Sequence, residues 1–124
     1  MLHLFLSIVL TLLLVTSAWG IDRQTLFSAV EPTGTEVYSS TIIVEQFPHV
    51  IIQSDATVAS TTIVTTIYGR VRDSSSWVTL GTLTHTVTGN LMLNIVERIH
   101  SIRVGHKTTG DIAGDVLTVY LEGK

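Results

Sequence analysis

Residues 82–88 read T-L-T-H-T-V-T and alternate strictly between two chemical kinds. This spacing places Leu83, His85 and Val87 on one face and the four threonines on the other. An alternation with a period of two residues is the signature of a half-buried β-strand. Threonine and valine also favour strands, because their branched β-carbons are restricted in helices and pack well on a pleated sheet.

The same pattern continues in both directions along the chain. One face is shared by Ile63, Ile67 and Val71 in one segment, and by Leu117, Val119 and Leu121 in another. Threonine, valine and isoleucine make up 41 of the 104 residues that follow Gly20. Turn-forming residues separate the alternating segments, as expected of strands joined by short connections.

This pattern predicts an all-β fold, an antiparallel β-sandwich or jelly-roll-like domain over residues 37–124. Residues 21–36 are expected to form an extended arm, although residues 22–31 would also allow one helical turn. Strands are expected at residues 36–45, 47–54, 61–72, 76–81, 82–88, 91–96, 99–105 and 115–122.

A different kind of segment precedes the strands. Residues 1–20 contain 14 apolar side chains and none of the 17 charged ones, which predicts a hydrophobic leader helix. Ala18 and Gly20 are the small residues that a signal peptidase recognises, so a signal peptide would be cleaved after Gly20. An uncleaved membrane segment and a buried packing segment are the alternatives. The run from Leu2 to Trp19 is 18 residues long, which is near the minimum for crossing a bilayer.

Composition excludes several classes of function. The chain has no cysteine, which excludes disulfides and thiolate sites for metals. Its net charge of −3 argues against nucleic-acid binding, which normally needs a basic face. The histidines lack metal-binding spacing, and His85 is expected to be a hydrogen-bonded core residue. Asp111 and Asp115 are expected in a solvated hairpin turn.

No catalytic motif is recognisable, so we expect no enzymatic activity, no catalytic or metal site and no cofactor. A G-x-S-x-G nucleophile turn and a phosphate-binding G-x-x-x-x-G-K-[ST] loop are both missing from the sequence. The candidate binding surface consists of Tyr68, Arg70 and Arg72 on one strand face and Tyr120 on another, because exposed aromatic side chains contact sugars and proteins. Trp77 is expected to be a core anchor.

Residues 72–81, R-D-S-S-S-W-V-T-L-G, resemble a pattern in small β-sandwich proteins of tailed-phage particles, in which a strand ends in a D-G-S-x-W-x-x-L turn. Residues 102–104, 109–111 and 116–123 are similar to the closing strands of those proteins, and the resemblance covers about residues 37–123. It implies a virion component, such as a head decoration or tail-associated protein, that works through oligomeric contacts.

Two functions therefore follow from the sequence. The first is a non-enzymatic structural protein of a virus particle, with copies of itself or other virion proteins as partners. The second is a secreted or membrane-anchored extracytoplasmic module that binds carbohydrate or a cell-surface partner, with membrane contact through residues 1–20. The fate of the leader distinguishes the two. A free monomer that begins at Ile21 would favour the secreted module, and an intact Met1 in a large symmetric assembly would favour the structural protein.

Overall fold

A computed structural model describes residues 23–59, 61–110 and 113–124. The predicted leader and its cleavage site lie outside these residues. Nine strands form the described chain: β1 (Arg23–Val30), β2 (Val37–Tyr38), β3 (Ile42–Ile43), β4 (Val50–Thr57), β5 (Ile63–Arg70), β6 (Val78–His85), β7 (Gly89–Ile95), β8 (Ser101–Thr108) and β9 (Val116–Gly123).

The strands are arranged in two antiparallel sheets. The first sheet has the order β1-β9-β4-β7, and the second has the order β2-β8-β5-β6, with β3 also paired to β8. Every described strand pairing is antiparallel. The prediction of an all-β antiparallel architecture is therefore confirmed.

The core consists of aliphatic side chains that point inward from both sheets. The first sheet contributes Ile52, Leu117 and Val119, and the second contributes Ile63 and Ile67, all fully buried. On β4 and β5, buried residues alternate with half-buried ones, as the period of two requires. Each such side chain contributes about 1.5–3 kcal/mol to the free energy of folding when it leaves water.

The N-terminal arm belongs to the first sheet. Residues 23–30 are extended as expected, and they pair with β9 as the edge strand β1. The register of this pairing shifts twice, and Ala29 has a φ of 48°, a left-handed conformation that is uncommon outside glycine. The Ala29 amide donates to Oγ1 of Thr118 at 3.0 Å, which ties down the irregular end of β1.

The strand boundaries differ from the predicted ones in the middle of the chain. The single strand β6 (Val78–His85) is found where two were expected, at residues 76–81 and 82–88. The strand expected at 36–45 is reduced to the short β2 and β3. The peptide after His85 leaves the second sheet to enter the first, so Val87 is exposed instead of sharing the face of Leu83. Within the described ranges, no helix is long and apolar enough to cross a membrane.

Candidate interaction surfaces

The outer face of the second sheet carries an arginine held among three aromatic rings. Residues Tyr68 on β5 and Arg103 on β8 are directly paired, so their side chains lie side by side. The guanidinium carbon of Arg103 lies 4.4 Å from the ring centre of Tyr38, 4.8 Å from that of Trp77 and 5.4 Å from that of Tyr68. Arg70 stacks on the same Trp77 ring at 4.3 Å. These five residues are called the aromatic–arginine cluster below.

Trp77 is thus placed differently from the prediction. It is half-buried and lies outside the apolar core, where the cluster arginines contact its ring. The expectation of a core anchor was wrong, because β6 begins only at Val78 and the preceding turn carries Trp77 onto the outer face. Cation–π contacts of this kind are favourable by about 0.5–2 kcal/mol each, depending on desolvation.

A carboxylate closes one end of the aromatic–arginine cluster. The hydroxyl of Tyr68 donates to Oε1 of Glu36 at 2.6 Å, and that of Tyr38 donates to Oε2 at 3.0 Å. Burial, followed by the bond to Glu36, raises the pKa of Tyr68 to about 12. The Glu36 bond is the largest cause that raises the pKa of Tyr38. Glu36 lies over Gly105, where any β-carbon would collide with the carboxylate.

The four residues of the predicted binding surface do not form one site. Tyr68 and Arg70 share the aromatic–arginine cluster, and Arg70 also bonds Asp73 through Nη2 at 2.9 Å. Arg72 lies beyond the end of β5 and is exposed. Tyr120 lies on β9, in the opposite sheet. The sequence pattern indicated faces correctly within a strand, but it does not specify which strands are neighbours.

Tyr120 lines a shallow depression on the outer face of the first sheet. The depression has a volume of about 330 Å³, and an ion pair of 3.4 Å joins Arg23 and Glu122 at one side. The amide of Gln53 donates to Asp55 at 2.8 Å within it. The lining residues are Arg23, Ile51, Gln53, Asp55, Met92, Tyr120 and Glu122.

A third surface is the side of the sandwich where β6 and β7 lie. In the described chain, β6 is the last strand of one sheet and β7 the last strand of the other. No Asp, Glu, Lys or Arg occurs in the 23 residues between Asp73 and Glu97. Exposed apolar side chains follow this side, namely Val78, Val87, Leu91, Met92 and Val96. We call β6, β7 and their connection the β6–β7 margin.

Strand β7 is regular along its whole length. It pairs with β4 through seven consecutive residues without a bulge. Its outward-facing Met92 has 67% of its surface exposed. Sequence reasoning missed this margin, although the run of 23 uncharged residues was a visible signal.

Two histidines lie between the sheets. His85 is buried and its Nε2 lies 2.9 Å from Oγ of Ser54, which confirms the expected hydrogen-bonded core histidine. His106 is also buried, and its ring meets that of Phe27 edge-on at 4.4 Å. Neither ring nitrogen of His106 has a hydrogen-bond partner among the described residues. Burial lowers the pKa of both histidines.

Asp115 is placed differently from the prediction as well. The expectation of a solvated turn was wrong for this residue, because its side chain is fully buried. Its carboxylate accepts hydrogen bonds from the amide of Ala59, at 2.7 Å, and from the hydroxyl of Thr61. Asp111 lies outside the described residues. In the described ranges, no group of three or more acidic, histidine or cysteine side chains is arranged to hold a metal ion.

Comparison with known proteins identifies neighbours of the fold. No protein-family model and no curated protein matches this sequence. The structure of the SPBc2 prophage-derived protein YomS is similar, with a TM-score of 0.53 and 12% identity, over 83% of this chain and 94% of that chain.

Two further structures show a weaker likeness. A chain of the Bacillus endospore appendages, described as disulfide-linked pili, has a TM-score of 0.47 and 7% identity over 82% of this chain and 86% of that chain. A chain of infectious bursal disease virus, Gx strain, has a TM-score of 0.36 and 14% identity over 80% of this chain and 28% of that chain. The chain is thus an antiparallel β-sandwich whose fold is shared with a prophage-derived protein.

Proposed function

We propose that this chain is a non-enzymatic structural protein that assembles through protein–protein contacts, as a capsid decoration or tail-associated component of a virus particle. The observation that carries the proposal is the β6–β7 margin. Two sheet edges lie on one side of the sandwich, carry exposed apolar side chains and have no charged residue over 23 positions.

An exposed sheet edge offers unpaired backbone amides and carbonyls, which attract a further strand. Soluble proteins usually prevent such pairing with lysines, prolines or bulges on the edge strand. The opposite edge of the first sheet shows such protection, since β1 carries Arg23 and two register shifts. Strand β7 has none of these features. The contrast supports β7 as an edge that is left open for a partner.

The sequence resemblance to phage-particle proteins, over residues 72–81 and the closing strands, supports a location in a virus particle. The prophage-derived neighbour is consistent with it, since the two chains share a fold. Placement in the virion and the identity of the partners are parts of the proposal.

The test is to isolate particles from the organism that encodes the chain and to quantify the chain in them by mass spectrometry. The proposal predicts a fixed copy number per particle, and size-exclusion of the released chain should show oligomers. A chain that is missing from the particles and circulates as a monomer beginning at Ile21 would contradict it.

A second candidate function is binding of carbohydrate outside the cytoplasm. The depression around Tyr120 favours it, because an aromatic ring beside Gln53 and Asp55 offers both a stacking surface and hydrogen-bonding groups. Tyr68 is a matched control, since its ring is already contacted by Arg103. On a glycan array, this function predicts that Tyr120→Ala abolishes binding while Tyr68→Ala retains it. Equal binding by both variants and the unmodified chain would contradict it.

A further inference from the structure

The sequence of β7 reads the same in both directions around one residue. Residues 90–94 are N-L-M-L-N, with Met92 at the centre. In an antiparallel pair of two such strands with Met92 opposite Met92, Asn90 of each copy lies opposite Asn94 of the other, and Leu91 lies opposite Leu93. The strand is therefore chemically complementary to a second copy of itself.

The structure places these side chains on the correct faces for such a pair. Met92 is paired with Gln53 of β4 and points outward, as do Asn90 and Asn94. Leu91 is paired with the buried Ser54, so it points toward the interior, and Leu93 packs against the core. Leu91 nevertheless keeps 37% of its surface exposed at the open side of the sandwich.

We propose that two copies of the chain pair through β7 in antiparallel orientation, around a two-fold axis at Met92. The pair joins the two four-stranded sheets into one continuous sheet of eight strands. This inference deepens the proposed function, on which it rests, by naming the partner and the residues in contact. A two-fold interface requires a surface that complements itself, and the palindromic strand meets that requirement.

Both the charged side chains near β7 and the regular backbone of β7 are compatible with pairing to a second copy. On the outer face, the neighbouring strand β4 carries one charged side chain, Asp55, which is opposite Asn90. Strand β6 borders the same side and also carries no Asp, Glu, Lys or Arg, so the two edge strands bring no like charges together. The bulge-free register of β7 keeps its free backbone groups evenly spaced for a partner strand.

Because the chain has no cysteine, single cysteines can report the pairing directly. Two residues opposite each other in an antiparallel pair have α-carbons about 4.5–5.5 Å apart, which is within the range of about 4.4–6.8 Å that disulfides need. Met92→Cys in the full chain should therefore form a disulfide-linked dimer under mild oxidation. Val71→Cys is the control, since Val71 is 68% exposed and Met92 is 67% exposed.

A second pair of variants tests the register. Asn90→Cys and Asn94→Cys should each cross-link poorly alone, because equivalent residues lie roughly 13 Å apart along the strand direction. A mixture of the two, with one isotope-labelled, should cross-link as the mixed dimer. Circular dichroism confirms that each variant is folded.

Faster cross-linking of Met92→Cys than of Val71→Cys, together with the mixed dimer, supports the pairing. Equal rates for the two exposed positions would overturn it. If the two rates are equal but the unmodified chain still forms oligomers, the copies associate through a surface other than β7. The proposed function then stands without the β7 pairing. A chain that cross-links as expected but is missing from particles would leave the pairing standing and remove the proposed function.

Discussion

Oγ of Ser54 lies 2.9 Å from Nε2 of His85, and this bond links the two sheets through the middle of the sandwich. Ser54 belongs to β4 in the first sheet, and His85 ends β6 in the second. Both side chains are excluded from water. A polar pair in such a place favours one alignment of the sheets, since any slip would leave both groups without a partner.

Ser54→Ala is expected to lower the free energy of unfolding by about 1–3 kcal/mol, because the imidazole of His85 loses its partner in a buried site. Urea unfolding followed by circular dichroism measures the change. Thr84→Ala, on the exposed face of β6 next to His85, is the control and should change stability by about 0.5 kcal/mol or less. Similar losses from the two substitutions would show that the Ser54–His85 bond does not contribute to stability.

Stability should also depend on pH through the two buried histidines. Burial lowers the pKa of His85 and of His106 below 6.5, although Asp55 and Glu36 respectively act in the opposite direction. Below about pH 6.5 the unfolded chain therefore binds more protons than the folded one, and the free energy of unfolding falls as pH falls. Above about pH 6.5, the free energy of unfolding does not depend on the protonation of these two histidines.

His106→Phe tests this pH dependence. The replacement removes a buried imidazole whose nitrogens have no partner in the described chain, and it retains an aromatic ring against Phe27. We expect a shallower loss of stability between about pH 6.5 and pH 4.5, with at most about 1.4 kcal/mol removed per pH unit for one histidine. Urea unfolding at a series of pH values measures how the free energy of unfolding depends on pH in the variant and in the unmodified chain. An unchanged profile would be inconsistent with a titrating His106.

Glu36→Gln should lower the pKa of Tyr68 from about 12, while keeping it above 10.0, because burial remains after the carboxylate is lost. Ultraviolet absorbance of tyrosinate during alkaline titration measures the shift. Tyr68→Phe assigns the titration step, since it removes that hydroxyl alone. A Tyr68 pKa unaffected by Glu36→Gln would exclude the hydrogen bond between the two side chains.

Arg103→Ala is expected to destabilise the fold by about 1–3 kcal/mol, because its cation contacts three rings of the aromatic–arginine cluster. Trp77 should also become more accessible to an aqueous fluorescence quencher. Lys107→Ala is the control on the same outer face of β8 and should leave both readouts nearly unchanged, as its side chain is exposed. Equal quenching in both variants would show that Arg103 does not cover the indole.

Alternation in the sequence was enough to predict the inner faces of several strands. Leu83 and His85 on β6, and Leu117, Val119 and Leu121 on β9, are all buried as expected. The pattern fails at strand ends, where Val71 and Val87 continue the alternation but lie exposed after the strand has ended. Alternation is a local property and does not show where the chain leaves a sheet.

The aromatic–arginine cluster could not be predicted from local patterns. Tyr38, Trp77 and Arg103 are far apart in sequence. They meet because β2, β8, β5 and β6 follow one another in one sheet, with Trp77 directly before β6. Asp115 shows the same limit, since its partners Ala59 and Thr61 lie more than 50 positions away. The uncharged β6–β7 margin, in contrast, is a contiguous run that composition alone could have identified.

The most direct test of assembly through the β6–β7 margin is light scattering of the purified full chain across a wide range of concentrations. The unmodified chain and Val71→Lys should form oligomers of the same mass. Met92→Lys should have a smaller mass, because it places two ammonium groups together at the edge of β7. An unmodified chain that is monomeric at every concentration, or a Met92→Lys variant with the mass of the unmodified chain, would contradict it.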